Sequence, residues 1–140
     1  MMMVIIGLLG VVVAPRFADN DVFQSRGFAD QVQASLRYAQ KVAVAQRRNV
    51  CVAFTPSTLA ASAASVSGAG SGCDTSLITP SGQSGVWVAA PAGIQFSTTP
   101  SNFKFDALGT PWVGASSIGT SGVIAATTIT IEAETGYVHQ

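Results

Sequence analysis

The sequence predicts an α+β fold in which one long N-terminal helix packs on antiparallel β-sheet. Two observations carry this prediction. Apolar residues follow a helical period through the first fifty positions, and between Arg16 and Asn49 there is one glycine, Gly27, and no proline. After Asn49 the pattern changes to short β-branched or alternating runs separated by turn residues. One helix followed by several such strands places the helix against a sheet face.

These patterns divide the chain into three segments. Residues 1–15 form an apolar helix, residues 16–49 its amphipathic continuation, and residues 50–140 a β-rich globular domain. The formal net charge is zero, yet six basic and three acidic residues lie in the first fifty positions, and one basic and four acidic residues follow. A basic front half either attracts polyanions or forms the solvated side of a helix, and the second interpretation is favoured.

The amphipathic segment carries one apolar stripe, whose members recur at the intervals typical of the buried side of a helix. They are Phe28, Val32, Leu36, Ala39 and Ala43. Charged residues fall together on the opposite side, namely Arg26, Asp30, Arg37, Lys41 and Arg48. We therefore expect the stripe to hold the helix on the sheet while the charged side faces water.

The first strand is VCVAF at residues 50–54, which Pro56 ends. Residues 55–85 are mostly Ser, Ala, Gly and Thr, and this composition predicts a loop. Further strands, with turn-like separators, are predicted at residues 85–90, 94–98 and 103–109. Trp87 and Trp112 are expected to be core or interface anchors.

The clearest alternation is TTITIEAE at residues 127–134. Ile129, Ile131 and Ala133 point to one face of this strand, and its threonines and glutamates point to the other. A turn at Thr135-Gly136 then leads into YVHQ, which we expect to pair back as the last strand.

Two cysteines, Cys51 and Cys73, enclose 21 residues. One disulfide between them would stabilise the fold by about 3 kcal/mol in the chain-entropy model. This bridge is favoured if the domain lies outside the cytoplasm, and the alternative is two unrelated thiols. A zinc site is not expected, because the sequence has no second pair of His or Cys residues to complete four ligands.

The opening run MMMVIIGLLGVVVA has three possible interpretations: a secretion signal, a core helix or part of a membrane span. As a helix its fourteen residues cover about 21 Å, less than the roughly 30 Å hydrocarbon core. A signal needs basic residues before the run and a small-residue cleavage site, and a core helix that is apolar all round would have to be covered on every side, which nothing else in the chain could do. We interpret the run as the C-terminal two-thirds of a membrane-spanning helix whose beginning is missing, kinked at Pro15.

This run, continued by GFADQVQASLRYAQKVAVAQRRNV, resembles the N-terminal helix of type IV pilins and of type II secretion pseudopilins. GVWV, FKFDALGTP and TTITIEAETGYV are similar to the GspH/FimT group of minor pilins, and the end of the apolar run is similar to minor pilins of mannose-sensitive haemagglutinin (MSHA) pili. The resemblance implies a type IV pilin-like fold in a structural subunit that waits in the bacterial inner membrane with a periplasmic domain. It would then join a pilus or a pseudopilus, with other major and minor pilins or pseudopilins as partners.

The resemblance also assigns the apolar helix to the filament core, where glycines permit close helix contacts. The residues implied are Met1, Val4, Ile5, Ile6, Gly7, Leu8, Leu9, Gly10, Val11, Val12, Val13, Pro15 and Phe17. One departure from the family is the lack of a peptidase site followed by a Phe-Thr-Leu-Ile-Glu-like segment, since the first glutamate is Glu132. We attribute this difference to N-terminal truncation.

No residue pattern indicates catalysis, and we expect a non-enzymatic protein without cofactor or metal. The one histidine, His139, lies next to the C-terminus, where we expect it to be solvated without fixed neighbours. Glu132 and Glu134 alternate on one strand face without a partner acid or metal. GAGSG at residues 68–72 lacks the lysine of a phosphate loop and is interpreted as a linker.

Two alternative functions remain open. The basic helix suggests a minor pilin that binds DNA for uptake, for which retardation of duplex DNA should weaken steeply with salt. A periplasmic hydrolase is less favoured, because it needs a nucleophile with a positioned base.

Overall fold

The computed structural model describes residues 20–68, 72–112, 116–121 and 126–140. The apolar run at residues 1–17, which carries the filament and membrane predictions, lies outside these ranges. Within these ranges, no helix combines the length and the apolarity needed to span a bilayer.

The described part of the chain holds one helix, α1 (Asn20–Gln46), followed by strands. In chain order the strands are β1 (Val50–Phe54), β2 (Thr58–Ala64), β3 (Cys73–Ser76), β4 (Val86–Ala89), β5 (Gln95–Phe96), β6 (Phe103–Phe105), β7 (Ser116–Ser121), β8 (Ala126–Ile131) and β9 (Val138–His139).

The strands form two sheets in which every pairing is antiparallel. The first sheet has the order β3-β2-β1-β6, and β4 also pairs with β2. The second sheet has the order β5-β7-β8-β9. Helix α1 contacts strands of both sheets, among them β1 and β4 in the first and β8 and β9 in the second. The prediction of an α+β fold with an N-terminal helix on antiparallel sheet is confirmed.

The core lies under the apolar stripe of α1. All five stripe residues, Phe28, Val32, Leu36, Ala39 and Ala43, are exposed by 2% or less. Opposite them, Val50 and Val52 of β1 and Ile129 and Ile131 of β8 are equally buried, and the ring of Phe28 lies 5.2 Å from that of Phe96. Burying side chains of this size stabilises a fold by about 1.5–3 kcal/mol each, so this layer joins the helix to both sheets.

The predicted loop at residues 55–85 is wrong for two segments, because β2 and β3 lie within it. In β2 the side chains of residues 59–63, which are small apart from Leu59, alternate between buried and half-buried positions. Alanine and serine have low β-propensity, but β2 is paired along both edges, by β1 on one side and by β3 and β4 on the other. Strand β7 is absent from the sequence prediction and forms through six paired positions with β8.

Helix α1 ends three residues before the predicted end at Asn49. Arg47 adopts a left-handed conformation with φ of 50°, and the amide of Arg48 donates to the carbonyl of Ala43 at 3.2 Å. This is the geometry of a helix C-terminus that is usually built on glycine. An arginine at that position gives no compositional stop signal, which explains the longer prediction.

Candidate interaction surfaces

Three segments meet at a junction that ties α1 to two turns, one following β6 and the other between β8 and β9. The Gln40 carboxamide donates from Nε2 to the carbonyl of Gly109 at 3.0 Å and to that of Thr135 at 2.8 Å. Gly109 and Gly136 both have positive φ, of 85° and 65°. A Cβ on Gly136 would overlap the carbonyl oxygen of Gly109. We call Gln40, Gly109, Thr135 and Gly136 the helix–turn junction; it is not among the predicted sites, although two glycines at turns were a signal.

The turn that carries Gly109 is held by the carboxylate of Asp106. This carboxylate accepts hydrogen bonds from the amides of Leu108 and Thr110, both at 2.9 Å, and from the Thr110 hydroxyl at 2.7 Å. Burial by itself raises the pKa of Asp106, but these hydrogen bonds and one from the amide of Gly109 outweigh burial and hold that pKa below its ordinary value.

Because its pKa is lowered in the folded state, Asp106 stabilises the fold above the ordinary aspartate pKa of about 4, and this contribution is lost as pH falls through the folded-state value. We expect Asp106→Asn to lower the urea midpoint at pH 7. Between pH 7 and pH 3 the midpoint of this variant should then fall by less than that of the wild type. Thr110→Val, which removes the hydroxyl donor to Asp106, should show part of both effects. If the urea midpoint of Asp106→Asn falls between pH 7 and pH 3 by as much as that of the wild type, this assignment is contradicted.

Exposed apolar side chains surround the helix–turn junction. Leu108 is 82% exposed on the Asp106 turn, Tyr137 is 56% exposed beside Gly136, and Val44 is 47% exposed on α1. The guanidinium of Arg37 lies 6.0 Å from the Tyr137 ring and donates from Nε to the carbonyl of Val138 at 3.0 Å. We call Val44, Leu108 and Tyr137 the junction patch, an exposed apolar group of the kind that marks contact surfaces.

His139 has fixed neighbours, so the expectation of a solvated terminal histidine without them is wrong. Its Nε2 lies 2.9 Å from Oε1 of Glu132, and its ring stacks on Tyr137 with centroids 5.5 Å apart. Antiparallel pairing of β9 with β8 produces these contacts, because it places His139 opposite Thr130. Glu132 therefore has a partner, whereas the sequence analysis gave it none.

The predicted charged side of α1 is exposed at Arg26, Asp30, Arg37 and Lys41, whereas Arg48, which lies beyond the end of the helix, is half-buried. The side chain of Gln140 donates from Nε2 to Oδ1 of Asp30 at 3.0 Å, so the C-terminus is tied to the helix. DNA binding by this side stays a prediction.

The two tryptophans have different environments. Trp87 is buried, and its indole Nε1 donates to the carbonyl of Leu77 at 3.1 Å. Trp112 is 60% exposed, and the ammonium of Lys104 lies 4.3 Å from its ring centroid. Trp87 is thus part of the core, whereas Trp112 is available to a partner.

Cys51 on β1 and Cys73 at the start of β3 form a disulfide, with an S–S distance of 2.01 Å and a Cα–Cα distance of 5.9 Å. The bond links β1 to β3, which lie on either side of β2 in the first sheet. Among the residues that the structure describes, no group of three or more His, Cys, Asp or Glu side chains could hold a metal ion.

A cleft of about 420 Å³ lies between α1 and the turn at residues 79–83. Gln31, Ser35 and Tyr38 line its helix side, and the largely buried Trp87 of β4 is a further lining residue. The rings of Tyr38 and Trp87 are 5.4 Å apart. We call this space the 79–83 cleft; the sequence analysis missed it because its walls are far apart along the chain.

No family model matches the chain, and no curated protein matches it. Among solved structures, the chain is similar to the type IV minor pilin FimU of Pseudomonas aeruginosa strain PAO1. The two share 18% identity and a TM-score of 0.57, over 81% of this chain and 85% of that chain. At this identity the likeness concerns the fold, so the expectation of a type IV pilin-like fold is confirmed. The finer resemblance to the GspH/FimT group and to MSHA pilins stays a prediction.

Proposed function

We propose that the chain is a minor pilin, a structural subunit that joins an MSHA-like type IV pilus through its N-terminal helix, with a type II secretion pseudopilus as the alternative machine. The observation that carries this proposal is the fold shared with a minor pilin over most of both chains. Other pilins or pseudopilins are the partners, and the proposal includes no catalytic step or cofactor.

The proposed assembly rests on the apolar residues that precede α1. We propose that residues 1–15 continue α1 and lie in the inner membrane before assembly. In lipid a helix satisfies its own backbone hydrogen bonds, and in a filament the same apolar side chains pack against neighbouring helices. The amphipathic part of α1 then holds the globular domain through the stripe from Phe28 to Ala43, which is buried in this domain.

The disulfide supports a periplasmic location for the globular domain. Disulfides form and persist in the bacterial periplasm and are rare in the cytoplasm. A bond between Cys51 and Cys73 therefore fits a domain that is exported while the apolar segment stays in the membrane.

We expect the full chain, expressed in a bacterium, to sediment with membranes and to resist extraction with high salt and alkaline carbonate. Deletion of residues 1–15 should move the chain to the soluble fraction, because it removes the apolar surface that lipid covers. Immunoblots of the two fractions measure the distribution.

Val66→Ser is the control, since it removes one exposed apolar side chain of the globular domain outside the junction patch and should leave the distribution unchanged. A full chain found in the soluble fraction would contradict the membrane step. In a host that assembles pili, the full chain should also appear in filaments sheared from the cells. Its absence from both sheared pili and isolated pseudopili would contradict the filament role, and the subunits that co-purify with it distinguish the two machines.

A further inference from the structure

The 79–83 cleft has the dimensions and the rigidity of a small-molecule site. Its volume of about 420 Å³ falls within the roughly 300–1,000 Å³ typical of ligand pockets. One wall is the regular helix α1. The other is a turn closed by hydrogen bonds from the amide of Thr79 to the carbonyl of Gln83 and from the amide of Gly82 to the carbonyl of Thr79, both at 2.9 Å. Little conformational free energy would therefore be lost in ordering this site when a ligand binds.

Neutral polar groups on both walls are available to a ligand. The carboxamides of Gln31 and Gln83 and the hydroxyl of Ser35 line the cleft and make no hydrogen bond within the described ranges. The Tyr38 hydroxyl lies 3.5 Å from the carbonyl oxygen of Ile78, a long contact that satisfies it poorly. Carboxamides and hydroxyls both donate and accept hydrogen bonds, so these groups match a partner that does the same.

The lining excludes several classes of ligand. None of the described residues that line the cleft is charged, so an ionic ligand would lose hydration there without meeting an opposite charge. A purely apolar ligand would leave the carboxamides unpaired. An extended peptide binds mainly through main-chain hydrogen bonds, but the main chain of α1 bonds along the helix, and the amides of Thr79 and Gly82 bond within the turn.

We propose that the 79–83 cleft binds a neutral saccharide, one or two sugar rings in size. Sugar hydroxyls pair with the side chains of Gln31, Ser35 and Gln83, and the apolar C–H face of a ring packs against the half-buried ring of Tyr38, which itself packs on the buried Trp87. This binding activity goes beyond the proposed structural role and does not depend on it.

The test uses the full chain with ¹⁵N-labelled tryptophan, in a detergent without a sugar headgroup, titrated with glucose, galactose, mannose and N,N′-diacetylchitobiose. The chain has two tryptophans, and only Trp87 lines the cleft. At least one sugar should shift the indole N–H resonance of Trp87 saturably and leave that of Trp112 in place. Trp112 is thus an internal reference within the same sample.

Gln31→Ala and Gln83→Ala should each weaken the affinity about threefold to tenfold, the effect of losing one hydrogen bond. Gln24→Ala, which removes an exposed carboxamide on the same helix outside the cleft, should leave it unchanged. The proposal is overturned if no sugar shifts Trp87, if both indoles shift together, or if both cleft variants bind like the wild type. It is also overturned if a neutral tetra-alanine peptide binds the cleft and the sugars do not.

Discussion

Gly136→Ala should lower the free energy of unfolding by roughly 3–5 kcal/mol, measured by urea denaturation followed by circular dichroism. Two effects add at this position. With φ of 65°, Gly136 lies in the left-handed region, where any side chain is strained by about 1–2 kcal/mol. In addition, a Cβ there would overlap the carbonyl oxygen of Gly109, and main-chain atoms cannot move aside as a flexible side chain does. The two turns would have to separate, which also breaks the hydrogen bonds from Gln40.

Gly93→Ala separates the two effects. Gly93 has φ of 84°, but a Cβ there would have no heavy atom within 4 Å, so this variant carries the strain without the overlap. It should cost about 1 kcal/mol. Equal losses in Gly93→Ala and Gly136→Ala would show that the close contact of the two turns contributes nothing, which would contradict the helix–turn junction as described.

The Cys51→Ser/Cys73→Ser double variant should lose about 3 kcal/mol of unfolding free energy. The two cysteines are 22 positions apart, and opening the loop between them increases the conformational entropy of the unfolded chain. For a domain whose total stability is about 5–15 kcal/mol, this loss is a large fraction.

Reduction of the wild-type chain by dithiothreitol is the control for the substitutions, because it opens the same loop and leaves both side chains in place. The reduced wild type and the double variant should unfold at similar urea concentrations, both well below the oxidised wild type. If oxidised and reduced wild type unfold at the same concentration, the two cysteines are not joined in the folded protein.

Local patterns were sufficient for the elements that have one clear face. The stripe of α1 and the alternation that carries Ile129 and Ile131 could be predicted because each apolar residue meets the core at the helical or strand period. Strand β2 could not, since its four alanines and one serine form a strand through pairing with neighbours on both edges. The end of α1 was missed because Arg47 occupies the conformation in which glycine is the usual signal.

The candidate surfaces depend on contacts between distant residues, which no local pattern contains. Gln40 and Thr135 are separated by 95 positions, and nothing in either neighbourhood indicates their hydrogen bond. The cleft brings Gln31 of the helix near Gln83, and neither residue stands out in the sequence. The disulfide was easier to foresee because the chain has two cysteines and one possible pairing.

The ties between the last residues and the helix bear on how the protein can be handled. Arg37 holds the carbonyl of Val138, and Gln140 reaches Asp30, so the extreme C-terminus is part of the folded body and not a free tail. An affinity tag or a fluorescent fusion attached after Gln140 therefore begins on the surface of α1 and competes for space beside its charged side. Val66 and Ser67, which are exposed beyond the end of β2, offer an insertion site for a label that leaves the helix free.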